Sequence, residues 1–411
     1  MSASTFVRSV GAAERWLFRH AERNPMQFTV VAEFDQHLDT DRLQRSLLTV
    51  QRRHPLLSTH VEDHPESRLG FYRSKKIAPI DFIVSRCEDG DWTPLVSAEL
   101  ARAFDRARAP LVRVVTAYAP KHTIMLLTFD HTVADGISAL IILNDIVAAL
   151  NGQPLQDLAV PASQEHRIDE ALAGVEPFGD AELPKADARI STPCALRPID
   201  DAPTRAQGIA LSTLDTARLV QRCRTEHTTV HGAIATAASH VVGTDTQKEF
   251  LRVETLINFR SHINVVDDCA VYFGASRIGV APRKMPFWHQ ARTLTTELAV
   301  ARSPRGIVTT SRGLREAMPI DAEVDDAERV FTDLIPHDLV VSNLGVHPGI
   351  PDATIRPTAI WGPFVQTHLD GEHVVGAVTF QDRLRITACG YTLKPDFLER
   401  VQRELLAACT K

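Results

Sequence analysis

The sequence predicts an α/β (α+β) protein of two domains, and three observations predict it. A chain of 411 residues exceeds one ordinary core, and roughly two domains of about 200 residues each is the expectation from length. Strand-like and helix-like apolar periods alternate through the first 152 residues, the order of an α/β or α+β unit. Then Pro154, Pro161, Pro177, Pro184, Pro193, Pro198 and Pro203 interrupt every period. The expected organisation is therefore a first domain over residues 1–152, a proline-rich linker over 153–207 and a second domain over 208–411.

The elements follow in order. Residues 12–23 carry Ala13, Trp16, Leu17 and Ala21 at helical spacing and stop at Asn24-Pro25. Residues 27–34 alternate Phe28, Val30, Ala32 and Phe34 with more polar partners, as a strand does. Asp39 or Thr40 can cap the next helix, whose inner face is Leu43, Leu47 and Val50 and which ends before Pro55. Residues 111–118 and 123–129, joined through Ala119-Pro120-Lys121, read as adjacent strands. The second is apolar at nearly every position, the pattern of a central strand covered on both faces. Asp130, His131 and Thr132 stop it. After Asp135 and Gly136, apolar residues return at Ile137, Leu140, Ile141, Val147 and Ala148, one helix face, until Asn151-Gly152.

Regular patterning resumes at Ile209. Residues 214–226 read as a helix, and Thr228 or Thr229 caps a second over 230–241. Residues 252–259, 338–343, 354–361, 362–368, 374–380 and 384–389 read as strands, with turns at Asp370-Gly371 and Gln381-Asp382. A helix over 395–408 closes the chain, and the absence of a 20–50-residue period argues against a repeat protein.

Composition excludes several classes. The shares of 44% hydrophobic and 23% charged residues are those of an ordinary soluble protein. No apolar run approaches the ~18 residues of a membrane span. The opening MSASTFVRSVGAAERW lacks the apolar stretch of a secretory signal, so a cytoplasmic location is expected. Cys87, Cys194, Cys223, Cys269, Cys389 and Cys409 are scattered without a CxxC pair, which indicates free thiols rather than a zinc knuckle or disulfide framework. A formal charge of −6 and a pI near 6.3 leave no electrostatic footprint for nucleic acid. A monomer with a small-molecule or protein partner is expected.

The one sharp chemical signal is His131, three residues, Asp135, Gly136, placed where a buried strand hands over to a helix. This spacing resembles the HHxxxDG signature of the condensation-domain superfamily. That superfamily holds the condensation domains of nonribosomal peptide synthetases, the polyketide-associated acyltransferases, chloramphenicol acetyltransferase and the plant HxxxD acyltransferases. RRHPLLSTHVE over 52–62 resembles its "RHP-x-L-R-T" segment. TTVHGAIATAA over 228–238, LINFR over 256–260, VYFGAS over 271–276 and VVSNLG over 340–345 are similar to its "TVHGAL-x-AA" helix, "V-N-L-R" strand, glycine turn and "SN-x-G" segment. The order fits the polyketide-associated branch, and the plant DFGWG segment is absent. The resemblance implies two chloramphenicol acetyltransferase-like lobes, each a two-layer sandwich, set in a V with a tunnel between them.

Read from the residues alone, His131 is a loop histidine, a general-base candidate because a neutral imidazole can take a proton from an attacking hydroxyl or amine. The resemblance implies that it is that base. Asp135 by itself reads as a helix N-cap, with Ser138 three residues on. The resemblance implies instead an ion pair with an arginine of the other lobe, for which Arg260 is the candidate. Gly136 permits a backbone conformation or a close approach that a side chain would block. Asp130 stands where the superfamily has its first His. Alternation along a strand turns it away from His131, so it is expected to hold the loop through backbone or a basic group. Ser342 and Asn343 could donate to a developing oxyanion, although an Asn beside Gly345 is equally a turn residue. His227 and His231 lie four apart, but a cap at Thr228 or Thr229 leaves His227 outside the helix, and no metal is expected.

The expected function is acyl transfer from a thioester to a small-molecule alcohol or amine, in natural-product or lipid biosynthesis. The donor would be acyl-CoA or an acyl carrier protein bearing acyl-phosphopantetheine, with no bound cofactor. The absence of a G-x-S-x-G elbow disfavours a serine hydrolase. The alternative is a non-catalytic condensation-like module that docks a carrier protein.

Overall fold

The computed structural model describes residues 4–410 apart from 88–89, 120–121, 180–181, 183–186, 199 and 201. The expected turn at Pro120-Lys121 and the linker's Pro184 therefore lie outside the described residues. The first half of the chain runs β1 (Ser4–Ser9), α1 (Ala12–His20), β2 (Gln27–Phe34), α2 (Thr40–Arg53), β3 (His60–His64), β4 (Arg68–Ser74), β5 (Asp81–Arg86), α3 (Thr93–Ala101), β6 (Val112–Ala119), β7 (His122–Asp130) and α4 (Gly136–Leu150). After α5 (Gln164–Ala171) come β8 (Arg205–Ala210), α6 (Thr213–Thr225), α7 (Val230–Thr246), β9 (Leu251–Asn258), β10 (Phe273–Val280), α8 (Phe287–Arg302), α9 (Pro304–Ala317) and α10 (Val324–Arg329). The chain ends with β11 (Leu339–His347), β12 (Ala359–Val365), β13 (His373–Phe380), β14 (Arg383–Gly390) and α11 (Phe397–Thr410).

The strands form a five-stranded sheet in the order β12-β2-β7-β6-β5, a six-stranded sheet β10-β9-β11-β13-β14-β8 and a small sheet β1-β4-β3. The uninterrupted apolar run of β7 is explained by its place. It pairs with β2 on one side and β6 on the other, and every residue from Thr123 to Asp130 is buried. On this sheet α4 packs against α2, whose N-cap Asp39 accepts from the Arg42 amide at 2.7 Å. The RRHP segment closes that contact. His54 Nε2 lies 2.6 Å and Arg53 Nε 2.7 Å from the Asp145 carboxylate on α4.

In the large sheet β11 runs parallel to both β9 and β13, and β13 turns into β14 through Gln381 and Asp382, both at positive φ (49° and 55°). That is the two-residue hairpin expected there. Helix α7 continues to Thr246, beyond the expected 241. Its polar side chains turn back onto the helix, Ser239 Oγ to the Ala235 carbonyl and Thr244 Oγ1 to that of His240, so polar residues hide a helix that persists.

Two expectations are corrected. Residues 354–361 and 362–368 are not two strands: one strand, β12, runs through Gly362 with a register irregularity between Trp361 and Phe364. The glycine that read as a break is a bulge at φ 127°, where a Cβ would sit 3.1 Å from the Thr29 carbonyl. The glycine of VYFGAS makes no turn either; Gly274 lies inside β10, where a Cβ would come within 2.3 Å of the Phe259 ring.

The strand β12, from the second half of the chain, forms the edge of the first sheet, antiparallel to β2. The proline-rich stretch lies against both halves. Ala13 N donates to Glu165 Oε1 at 2.8 Å, and Leu196 bridges to Leu369. Among the described residues no helix is long and apolar enough to cross a membrane.

Candidate active site

The end of β7 sets the site. Asp130 is its last residue, paired with Gln27, and the turn that follows is closed by Val133 N donating to the Asp130 carbonyl at 3.2 Å. Asp135 then takes an extended conformation and caps α4, its Oδ1 accepting from Ser138 N at 2.8 Å and Ser138 Oγ at 3.0 Å. Its other oxygen reaches the second half of the chain. Asp135 Oδ2 accepts from Arg260 Nη1 at 2.7 Å and from Tyr272 N at 3.0 Å. Arg260 Nη2 donates to Ser138 Oγ at 2.9 Å and to the Ala270 carbonyl at 3.1 Å. Asp135 is thus both the N-cap that its position suggested and half of the ion pair that the resemblance implied. Burial alone would raise the Asp135 carboxyl, but the Arg260 guanidinium and the backbone donors hold it below the ordinary range.

His131 is 6% exposed, its ring stacked at a tilt between Phe28 (centroids 4.8 Å apart) and Phe273 (5.4 Å). Burial pushes its pKa below 6.5, against the opposing pull of its own carbonyl, of Ala134 and of the Asp135 and Asp130 charges. The shift favours the neutral imidazole. Asp130 is turned from it, with Oδ1 accepting from Thr132 N at 2.9 Å and Oδ2 lying 3.2 Å from Arg106 Nε. The Arg106 guanidinium in turn covers the Phe18 ring at 3.7 Å.

A chamber of about 50 Å³ opens beside His131. Ser342 and Asn343 of β11 line it together with His131, Asp135 and Gly136. Asn343 Oδ1 accepts from Gly345 N at 2.8 Å, so only the amide donor end of that side chain is left to serve a substrate. Gly136 answers to a close approach and not to a special φ: a Cβ there would lie 2.7 Å from Leu344 Cδ2. His227 and His231 stand apart from this site. His227 is in the loop before α7 and His231 Nε2 meets Thr255 Oγ1 at 3.0 Å.

Sequence reasoning missed Phe28, Phe273, Asn258 and Tyr272. Asn258 and Phe273 stand within the quoted LINFR and VYFGAS segments and line the chamber. Tyr272 contributes a backbone amide, for which no side-chain signal exists.

Residues 14–170 match the family described as condensation domain. Surfactin synthase subunit 1 of Bacillus subtilis (strain 168) is 32% identical over 125 residues, 29% of this chain and 3% of that protein. The chain spans only 2–3% of the length of the curated relatives it matches. Among solved structures, polyketide synthase associated protein 5 from Mycobacterium tuberculosis has the same fold over 100% of both chains, with a TM-score of 0.71 at 13% identity. The condensation domain of the Monacolin K polyketide synthase MokA matches 99% of this chain and 97% of its own, with a TM-score of 0.67 at 13% identity. Residues 14–170 thus match the condensation-domain family in sequence, and the chain along its whole length shares the fold of these solved structures.

Proposed function

We propose that this protein is an acyltransferase, moving an acyl group from a coenzyme A or carrier-protein thioester to a hydroxyl or amine, with His131 as general base. In this reading residues 1–152 and 208–411 are two lobes joined by 153–207, and substrates meet in the chamber between them. The observation that carries it is a neutral, buried imidazole aimed at a small chamber and held on a turn that the Asp135–Arg260 pair locks.

The chemistry follows from that placement. His131 Nδ1 is sealed from solvent without a hydrogen-bond partner of ordinary geometry, which leaves Nε2 to face a substrate. Nε2 takes the proton of the acceptor O–H or N–H while the acceptor attacks the thioester carbonyl. The oxyanion that develops accepts from Ser342 and the Asn343 amide. Its collapse breaks the C–S bond, and the imidazolium returns the proton to the departing thiolate, giving thiol and ester or amide. A thioester carries a good leaving group, so no acyl-enzyme is needed, and holding both substrates supplies proximity.

The test is thiol release from a panel of acyl thioesters, followed with and without alcohols and amines. Release that depends on an acceptor, and falls by about 10² to 10⁴ at saturation in His131→Ala, is expected. No release from folded protein with any donor would leave the non-catalytic docking module as the better reading.

A further inference from the structure

The chamber at His131 is too small for a whole substrate. At about 50 Å³ it is several times smaller than the ~300–1,000 Å³ of sites that hold a whole ligand. A second cavity of about 540 Å³ lies beside it, between α1, α9, β10 and the turn after α10. That volume falls within the ~300–1,000 Å³ usual for ligand sites. Phe273 lines both spaces, and its ring is the one stacked on His131 at 5.4 Å. The side chain of one residue thus stands between the base and the larger cavity.

The walls of this cavity specify the kind of occupant. Trp16, Leu314, Val330, Leu334 and Ile335 make them mainly apolar. Leu334 is 52% exposed, so apolar surface there has no protein partner. Glu316 stands in the lining with its carboxylate engaged by Arg312 Nε at 2.8 Å.

Gly313 is the telling position. It sits within α9, where glycine weakens a helix relative to alanine. Packing explains the other glycine of this helix: a Cβ on Gly306 would lie 2.3 Å from the Val300 carbonyl. At Gly313 a Cβ would meet nothing within 4 Å, and the residue lines the cavity. No protein atom excludes a side chain there. Gly313 is itself exposed, so it stands at the open mouth of the cavity, where an added side chain would project into the entrance.

We infer that the 540 Å³ cavity binds an aliphatic chain carried by one of the two substrates, with Phe273 as the gate through which the reacting end of that chain enters the His131 chamber. The inference rests on the acyltransferase reading for its catalytic consequence, but chain binding itself does not. The chain belongs either to the acyl donor or to the acceptor. The chemistry is the same, and the two arms of the kinetic test separate them.

Binding is read without turnover. Titration with ω-bromododecanoic acid should quench the fluorescence of Trp16, in wild type and in His131→Ala alike, and the quenching should be absent in Trp16→Phe. Gly313→Phe should abolish it while melting close to wild type, whereas Gly313→Ala should retain it. Ala317→Leu, one helical turn on in the same wall, repeats the block should Gly313→Phe fail to fold.

Turnover then assigns the source. Acyl thioesters from acetyl to dodecanoyl are compared at one fixed acceptor, and n-alkanols from ethanol to dodecanol at one fixed donor. In one arm kcat/KM should rise by about two- to fourfold per methylene, and Gly313→Phe should flatten that slope while leaving the shortest substrate unaffected. Quenching together with a flattened arm supports the inference and names the substrate that carries the chain. Quenching with no acyl transfer from any pair keeps the cavity as a chain site and removes the catalytic reading. Active enzyme with no quenching, and equal slopes in wild type and Gly313→Phe, overturns the inference and leaves acyl transfer standing.

Discussion

On the proposed mechanism His131 must be unprotonated to act, and its burial between Phe28 and Phe273 favours that form. The sign is direct: a lowered pKa moves the acid limb of kcat/KM below pH 6.5, so activity should persist at pH values where an exposed histidine would already be charged. An acid limb at or above pH 6.5 would contradict this account. Asp130 acts behind the base. Asp130→Asn keeps an acceptor for Thr132 N and should retain most activity, whereas Asp130→Ala leaves that amide without its acceptor and the largely buried Arg106 charge without its carboxylate, and should lower Tm at least as clearly as rate. A several-hundredfold loss of turnover in Asp130→Asn at unchanged Tm would make Asp130 a direct partner of His131. The Asp135–Arg260 pair is buried on both sides, at 5% side-chain exposure each. Removing either partner strands a charge, and a loss of about 3–5 kcal/mol is expected from either single change. A double-mutant cycle by chemical denaturation should show coupling of roughly 0.5–3 kcal/mol, and additive losses would leave Asp135 as a cap alone.

Elements were legible where one local signal dominated. The cap-plus-period of α2 survives in the structure because that helix packs one face onto the core, whereas β2 forms where its alternation placed it but, lying between β12 and β7, is buried on both faces. Glycines misled at the next level. Gly362 and Gly274 read as breaks, yet both lie inside strands, because the neighbour that needs the missing side chain, Thr29 in one case and Phe259 in the other, is distant in sequence. Strand β12 is the main consequence, a piece of the second half completing the first sheet. Phe364 is fully buried there. Phe364→Ala should cost about 3–5 kcal/mol in urea denaturation, the range of a large core truncation. A cost below about 1 kcal/mol would mean that this edge strand adds little to the sheet it joins.

Across the whole molecule, buried histidines set opposing pH dependences. Burial pushes His20 down to about 3 and His231 down to about 4. In the unfolded chain both titrate near 6.5, so below that pH the unfolded state takes up protons that the native state refuses, and stability falls with pH. His337 behaves in the opposite way. Burial would lower it, but Glu254 at 2.5 Å and Glu372 at 3.6 Å raise it to about 10. Between pH 6.5 and 10 the native state then holds one proton more than the unfolded chain. Its stabilisation is complete below 6.5 and is lost as pH rises through about 10. Denaturation midpoints of wild type and His337→Gln should therefore converge over that alkaline range. A gap of constant size from pH 6 to 10 would contradict a charged His337.

Residue order alone was enough to place β7, α4 and the His131 turn between them, because a fully apolar run, a polar stop and a capped helix are signals carried by consecutive residues. It also carried the family resemblance, since the quoted motifs are short and contiguous. Tertiary structure alone decided what lies across from them. It set Tyr272 N and Arg260 on one Asp135 oxygen, put Phe273 against His131, and gave His337 its two carboxylates from Glu254 and Glu372. The cavity behind Phe273 belongs to the same class, since it is bounded by segments near residues 16, 274, 313 and 335. Periodicity reports which face of an element is buried. Which other face it meets, and what space remains between them, depends on packing between segments hundreds of residues apart.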